Sequence, residues 1–314
     1  MPHSTRLLLL CLLGLSHLSF AISSSPIRIL TNNWTSQIVI SHITGQLLQQ
    51  QGYTVEYISS SVDEQWAALA HGINHVQMEV WEGTMADKFG QITASGRVLD
   101  MGSHKATTRE EWWYPDYVAK LCPGLPDWHA LQNCSALFAH DDSGKGIYLA
   151  GPWEKPDEAR IRALKLNFRI QKVGSGDALW VELKKAVNQQ KPIVLFNWSP
   201  NWVEFHYPGA FVEFPPFSPE CESNPAWGIN PAFTYDCGNP RDGWLKKAVW
   251  NKLPVIWPCA AQTIRNISFN NAQLATLATW VDVEKLSYAE AAARWIKENK
   301  SIWQSWLEKS CPNG

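Results

Sequence analysis

The chain of 314 residues has no excess of charge of either sign: its net charge is −2 and its isoelectric point about 6.5. That balance excludes the electrostatic footprint of a nucleic-acid binder or of a protein drawn to an anionic membrane. No apolar run, the one near its start included, is long enough to span a bilayer. No Cys-x-x-Cys or His-x-x-x-His spacing argues for zinc. Gly-x-Ser-x-Gly, a phosphate-binding loop and a Cys/His pairing are also missing, and His42, His71, His75, His129, His140 and His206 form no readable constellation. These gaps remove most signatures of hydrolytic, nucleotide-dependent and metal chemistry. What is abundant is tryptophan, at 18 residues. Most of these must be core.

Residues 1–21 read as a signal peptide, with Arg6 as a minimal basic region, an apolar stretch over 7–15 and Ser19-Phe20-Ala21 as the cleavage site. Cys11 follows Leu10 rather than a small residue, which argues against a lipid anchor. The expected product is an exported, soluble protein, periplasmic or extracellular. It retains Cys122, Cys134, Cys221, Cys237, Cys259 and Cys311, an even number that favours disulfides in an oxidising compartment. Chain proximity pairs Cys122 with Cys134 and Cys221 with Cys237, leaving Cys259 for Cys311. Sequons occur at Asn33, Asn133, Asn197, Asn266 and Asn299, two of them beside tryptophans of interest.

Periodicity predicts strands at 26–30, 54–59 and 75–81, separated by helices at 36–50 and 63–71. Val39, Ile43 and Leu47 define one face of the first helix. A similar unit recurs as strand 146–150, helix 157–164, strand 168–173, a helix from 174 to 189 and strand 193–196. Alternating β and α elements imply parallel sheets covered by helices. The length suffices for two such lobes. Residues 112–118 read as a crossover strand, 205–242 as loops carrying the return crossover, and 288–299 as a helix whose Trp295, with Trp303 and Trp306 beyond it, belongs to the core. The expected lobes are 22–111 with 233–314, and 112–232, with the crossings near Tyr114 and Pro231.

Trp34, Trp81, Trp153 and Trp198 each follow directly on one of these short strands. In open α/β sheets the ligand crevice lies beyond the carboxyl ends of the strands. Four indoles delivered there, two from each lobe, form the receptor suited to a quaternary ammonium ion, which cannot donate hydrogen bonds and is held by π-faces. Trp113, Tyr114 and Trp202 are second-rank cage candidates. Ser175 and Gly176 sit in a Gly-Ser-Gly-Asp turn that could offer backbone N–H groups to an anionic ligand oxygen. Glu79 and Glu82 flank Trp81; Glu82 could add negative potential, but both read as solvent-facing charges.

Val80-Trp81-Glu82, Gly151-Pro152-Trp153, Phe196-Asn197-Trp198-Ser199-Pro200-Asn201-Trp202 and Ala293-Arg294-Trp295-Ile296 through Trp306-Leu307 carry a resemblance. The chain resembles substrate-binding proteins of ABC transporters for glycine betaine, proline betaine, choline and trimethylamine N-oxide. Asn33-Trp34 and Trp112-Trp113 look most like members handling the N-oxide, which use a four-tryptophan box. The resemblance implies a two-lobed type II periplasmic-binding-protein fold of the α/β class, with the ligand in the cleft. It also implies a separate permease chain as partner, a monomeric state, no cofactor and no enzymatic activity. Glycine betaine binders usually follow the loop tryptophan with Gly-Cys; here Glu154 stands there, and an inward-pointing Glu154 would repel a carboxylate. Two rival readings stay open. One is a secreted carbohydrate-active enzyme or lectin-like binder, with tryptophans stacking on sugar and Glu79 paired with Glu82. The other is a stand-alone sensor of the same ligands.

Overall fold

The computed structural model describes residues 25–139 and 141–307. The first unit runs β1 (Ile27–Thr31), α1 (Thr35–Gln50), β2 (Val55–Ser59), α2 (Glu64–Ala70), β3 (Val76–Trp81) and α3 (Glu82–Ala94). The long strand β4 (Val98–Pro115) leads to α4 (Asp116–Leu121) and α5 (His129–Cys134). The second unit is β5 (Gly146–Ala150), α6 (Asp157–Ala163), β6 (Phe168–Lys172), α7 (Gly176–Gln189) and β7 (Val194–Ser199). Then come α8 (Val203–His206), β8 (Gly209–Phe211), α9 (Pro219–Ser223), β9 (Gly243–Trp250), α10 (Leu253–Ile256), α11 (Pro258–Asn266), α12 (Asn271–Asp282), α13 (Tyr288–Glu298) and α14 (Lys300–Gln304).

The strands hydrogen-bond in the order β2-β1-β3-β9-β4-β7-β5-β6, with β8 also on β4. Pairing is parallel within β2-β1-β3 and within β7-β5-β6, and antiparallel where β9 and β4 join them. The two parallel sets are the βαβ units expected from periodicity, and their elements fall within a few residues of the expected bounds. What periodicity did not show is the spine between them. β4 pairs with β9 from Val98 to Thr108 and with β7 from Arg109 to Trp113, so one strand serves both halves of the sheet. Trp112 to Tyr114, expected at the crossover, already pair with β7 and β8.

Helix α1 buries its predicted face, Val39, Ile43 and Leu47, and also Ser36, Gln37, Ser41 and Thr44. It is buried nearly all round because α12 and α13 cover its outer side. Helices α12 and α13 each open with a reciprocal capping box, Asn270 with Gln273 and Ser287 with Glu290. The C-terminal tryptophans are core as expected: Trp295 stacks on Trp306 at 5.3 Å, and Trp303 is buried beside them. Disulfides join Cys122 to Cys134 and Cys221 to Cys237. The third expected pair involves Cys311, which lies outside the described residues, as does the expected signal peptide. No described helix is long and apolar enough to cross a membrane.

A buried polar network fastens the return of the chain to the spine. Arg160 pairs with Glu111 of β4 at 2.7 Å and donates through Nε to the Cys237 carbonyl at 2.8 Å. The Asn239 N–H donates to the same carboxylate at 2.9 Å, and Trp112 Nε1 donates to Asp157 at 2.9 Å. Three carboxylate and guanidinium groups buried together are tolerable because each has charged or backbone partners.

Candidate ligand site

Beyond the carboxyl ends of β1, β3, β5 and β7 lies a small cavity lined by Trp34, Trp81, Thr84, Met85, Glu110, Trp153, Phe196 and Trp198. All four predicted tryptophans are there. Trp34 and Trp81 hold the N-cap positions of α1 and α3, with extended backbone at φ −135° and −92°. An N-cap is ordinarily Ser, Thr, Asp or Asn, worth about 0.5–2 kcal/mol through a side-chain bond to the first turn. Neither tryptophan makes that bond. Local helix stability is given up at both positions, a departure of the kind expected at functional sites.

The rings stand at right angles like the walls of a box. Trp34 meets Trp153 at 6.4 Å and 79°, and Trp153 meets Trp198 at 5.2 Å and 82°. Phe196 faces Trp153 at 5.5 Å and Trp198 at 5.8 Å, and Trp180 of α7 backs Trp198 at 5.1 Å. Phe196 was legible in principle, since it lies two residues before Trp198 and shares its strand face. Trp34 and Trp153 come from opposite halves of the sheet, and Trp153 Nε1 donates to Asn33 Oδ1 at 3.0 Å, so the cleft is shut.

Glu79 departs from the expectation of a solvent-facing charge: it is fully buried, at 0 % exposure. Its Oε2 accepts from Trp34 Nε1 at 2.6 Å, Trp81 Nε1 at 2.9 Å and Ser36 Oγ at 3.1 Å. Its Oε1 has no partner. Burial pushes its carboxyl up to about 7, against the pull of those three hydrogen bonds. Glu82 is half-buried and accepts the Trp244 N–H at 2.9 Å. With one carboxylate sealed behind two indoles, the pair does not form an acid/base dyad.

A second carboxylate, Glu110, went unnoticed in the sequence. Its side chain is 6 % exposed and its Oε2 is buried without a partner, while the residue lines the cavity. Its Oε1 accepts from Thr84 Oγ1 of α3 and from Lys155 Nζ, the latter at 2.9 Å. Lys155 also donates to the Gly83 carbonyl at 3.0 Å and lies 5.3 Å from the Phe196 ring centre. Glu110 and Lys155 therefore clamp the loop after β5 onto α3.

The remaining expected residues fall outside the cavity wall. Glu154 is exposed and pairs with Lys172 at 3.0 Å. Helix α6 starts only at Asp157, so residues 153–156 are irregular loop, and there Glu154 takes the outward side while Lys155 takes the inward one. Trp113 and Tyr114 are packed in the core against β8. Trp202 is buried behind Trp180 at 5.7 Å and does not reach the box. Ser175 caps α7, its Oγ accepting from the Ala178 N–H at 3.2 Å. Gly176 lines a smaller adjoining cavity with Asn33, Thr35 and Asp177, and a Cβ added there would touch Trp198 at 3.4 Å and Trp153 at 3.6 Å. Asn197 is fully buried, which excludes its sequon from glycosylation in the folded protein.

Fold and site together define a two-lobed solute-binding architecture with an aromatic box in the cleft. The family of substrate-binding domains of ABC-type glycine betaine transport systems matches residues 25–298, and the chain belongs to that family. It is 37% identical over 296 residues to the trimethylamine N-oxide-binding protein of Pelagibacter ubique, covering 90% of this chain and 91% of that one. Among solved structures, the glycine betaine/L-proline-binding protein of Borrelia burgdorferi superposes with a TM-score of 0.72 at 16% identity, over 91% of this chain and 97% of that one. A choline-binding protein in complex with choline matches equally, with a TM-score of 0.72 at 16% identity, over 92% and 94% of the two chains. These likenesses establish the type II periplasmic-binding-protein fold, with its cleft between two lobes.

Proposed function

We propose that the protein is exported and captures a small trimethylammonium compound, with trimethylamine N-oxide as the preferred ligand, and presents it to the permease of an ABC importer. It acts by binding and release, without chemistry on the ligand. The observation that carries this reading is the box itself: four indoles and Phe196 around a space with only Thr84 and Glu110 as polar lining. Each indole face contributes about 0.5–2 kcal/mol toward a desolvated cation. A sugar would need a ring of hydrogen-bonding groups that this wall does not have.

The polar end of the ligand selects among the methylated amines. A carboxylate, as in glycine betaine, would meet the unpartnered Oε2 of Glu110 and be repelled. An amine oxide is about as basic as a carboxylate, so one proton can be held between its oxygen and Glu110 Oε2. Choline, whose hydroxyl can donate to the same oxygen, is the next best fit. The 37% identical relative binds trimethylamine N-oxide by name, which supports the same order. The lobes we assign are residues 22–111 with 233–314, and 112–232. The strand pairing supports a hinge slightly earlier on β4, at Thr108/Arg109, and a second near Asn239, where the chain leaves its bonds to Glu111 for β9. The expelled water and the closing rings then act together on the cation.

Calorimetric titration of the mature protein with trimethylamine N-oxide, choline, carnitine and glycine betaine tests the reading. Tightest binding of the N-oxide, with dimethylamine silent, is the expected outcome. Silence across the panel would return the four tryptophans to a structural role.

A further inference from the structure

The mechanism of capture uses the indole faces; it does not by itself explain why a carboxylate is buried at their edges. Glu79 lines no part of the cavity, so it makes no contact with a ligand there. Yet it is placed with economy: one oxygen collects the N–H edges of Trp34 and Trp81, which come from different elements, and the Ser36 hydroxyl. No positive side chain offsets it. The three donors are neutral, and the second oxygen is buried with no partner at all. A buried carboxylate left this way is unfavourable unless something else supplies positive charge.

We propose that Glu79 is a positioning residue that also charges the cage: through its two indole bonds it fixes Trp34 and Trp81 and raises the electron density of their rings, setting the preference for cationic over uncharged ligands of the same shape. An N–H that donates to an anion pushes electron density into its π-system, and the ring face is what a cation reads. The same charge acts directly through a poorly screened interior. The missing positive partner is the trimethylammonium group itself, separated from the carboxylate by the two rings. The inference rests on the trimethylammonium reading above and adds to it a residue outside the wall.

The contrast with the other half of the box gives the test its control. Trp153 Nε1 donates to Asn33 Oδ1, an uncharged amide, at 3.0 Å. The probes are pairs alike in shape, one member with a positive nitrogen where the other has a carbon: trimethylamine N-oxide against tert-butanol, and choline against 3,3-dimethylbutan-1-ol. Affinities are read by displacement of whichever methylated amine binds the wild type best. Glu79→Gln should weaken the charged member about tenfold and the carbon isostere less than about threefold. The indole N–H resonances of Trp34 and Trp81 should meanwhile stay shifted by a bond to residue 79.

Equal losses for both members of a pair, no loss for the charged member, or release of the two N–H resonances would each overturn the inference in favour of packing alone. Should the isostere bind too weakly to measure, the resonances together with the loss for the cation decide the matter. Should Glu79→Gln fail to fold, Trp81→Phe and Trp153→Phe replace it. Both keep an aromatic ring and lose an N–H, but only the first uncouples a ring from the carboxylate. The first should then reduce the preference for charge several-fold more than the second, and equal reductions would overturn the inference. A wild type that binds neither charged probe would instead defeat the trimethylammonium reading, which is a separate result.

Discussion

The two halves of the box are built on different principles. Trp34 and Trp81 are helix N-caps tied by their N–H groups to a single buried carboxylate. Trp153 and Trp198 are held by other rings, Phe196 and Trp180 among them, and Trp153 sits in a loop whose N–H bond reaches across the cleft to Asn33. The bonds of the first half join the start of α1 to β3 within one parallel set of strands, so none of them crosses the cleft. The cross-cleft bond of the second half exists only on closure. On the proposed function, the first half is the one expected to hold a cation before closure and the second the one expected to complete the box, so that ligand binding and closure would favour each other.

The sharpest way to break this comparison is to remove one ring from each half. Trp81→Ala takes away a cation face and one of the donors that make Glu79 tolerable, so two losses add. We expect binding of the preferred amine to fall about 100-fold, near 2.7 kcal/mol. Trp153→Ala removes one face and a net hydrogen bond, and should cost about tenfold. Titration calorimetry on both variants checks the order. If Trp153→Ala proves the more damaging, the half expected to hold the cation first is the wrong one.

A smaller effect sharpens the comparison through pH. Glu79 is raised from an ordinary 4.5 to about 7 by burial. Its folded value lies above its unfolded one, so its contribution to stability is fully present below about 4.5 and is lost as pH rises through 7. Binding runs the other way, because the cation needs the carboxylate ionised. Between pH 8 and pH 6 the affinity for choline, whose own charge is fixed, should fall several-fold in wild type and stay flat in Glu79→Gln. The ionisable groups nearest the ligand, Glu110 and Lys155, are common to both proteins and cancel in the comparison. The melting-temperature advantage of Glu79→Gln over wild type should shrink over the same range. His104, lowered to about 3 by burial, and His75, lowered to about 4, destabilise wild type and variant alike in acid, which is why the difference rather than either melt is informative.

How much of this was legible in the sequence depended on which side of a strand a residue serves. Apolar β-strands followed by tryptophan were readable, because a strand buried on both faces is a short apolar run and its end is the cleft. The spine was not. The first part of β4 reads Asp100, Ser103, His104, Lys105, Thr107 and Thr108, and β9 carries Lys246 and Lys247, so neither shows an apolar run. Lys247 is nevertheless buried, its ammonium donating to the carbonyls of Arg265 and Ile267. With β4 unseen, Glu110 could not be placed at the cavity. Glu79 was misread for a related reason. Alternation says only that it lies opposite Val80, and on an edge strand that would mean solvent. β3 is an inner strand with every residue buried, so the opposite side is again protein. A single charge in a strand of mostly apolar residues, two positions before Trp81, was the available signal.

The smallest effect expected is the one that the sequence ranked higher. Glu154 follows Trp153 directly and, read along the chain, belongs at the ligand's anionic end. In the fold it faces solvent with a side chain 74% exposed and pairs with Lys172, itself half exposed. An ion pair in that setting contributes at most about 1 kcal/mol to stability and is screened by salt. Glu154→Gln should therefore leave the affinities for choline and glycine betaine within about twofold of wild type, with their ratio unchanged. Its neighbour Lys155 provides the contrast, since Lys155→Met strips the ammonium from Glu110 while leaving the cavity wall in place. That variant should shift the ratio further toward the cation without a carboxylate. A ratio that moves with Glu154 and stays fixed with Lys155 would mean that the loop after Trp153 turns its other side to the ligand when the cleft is filled.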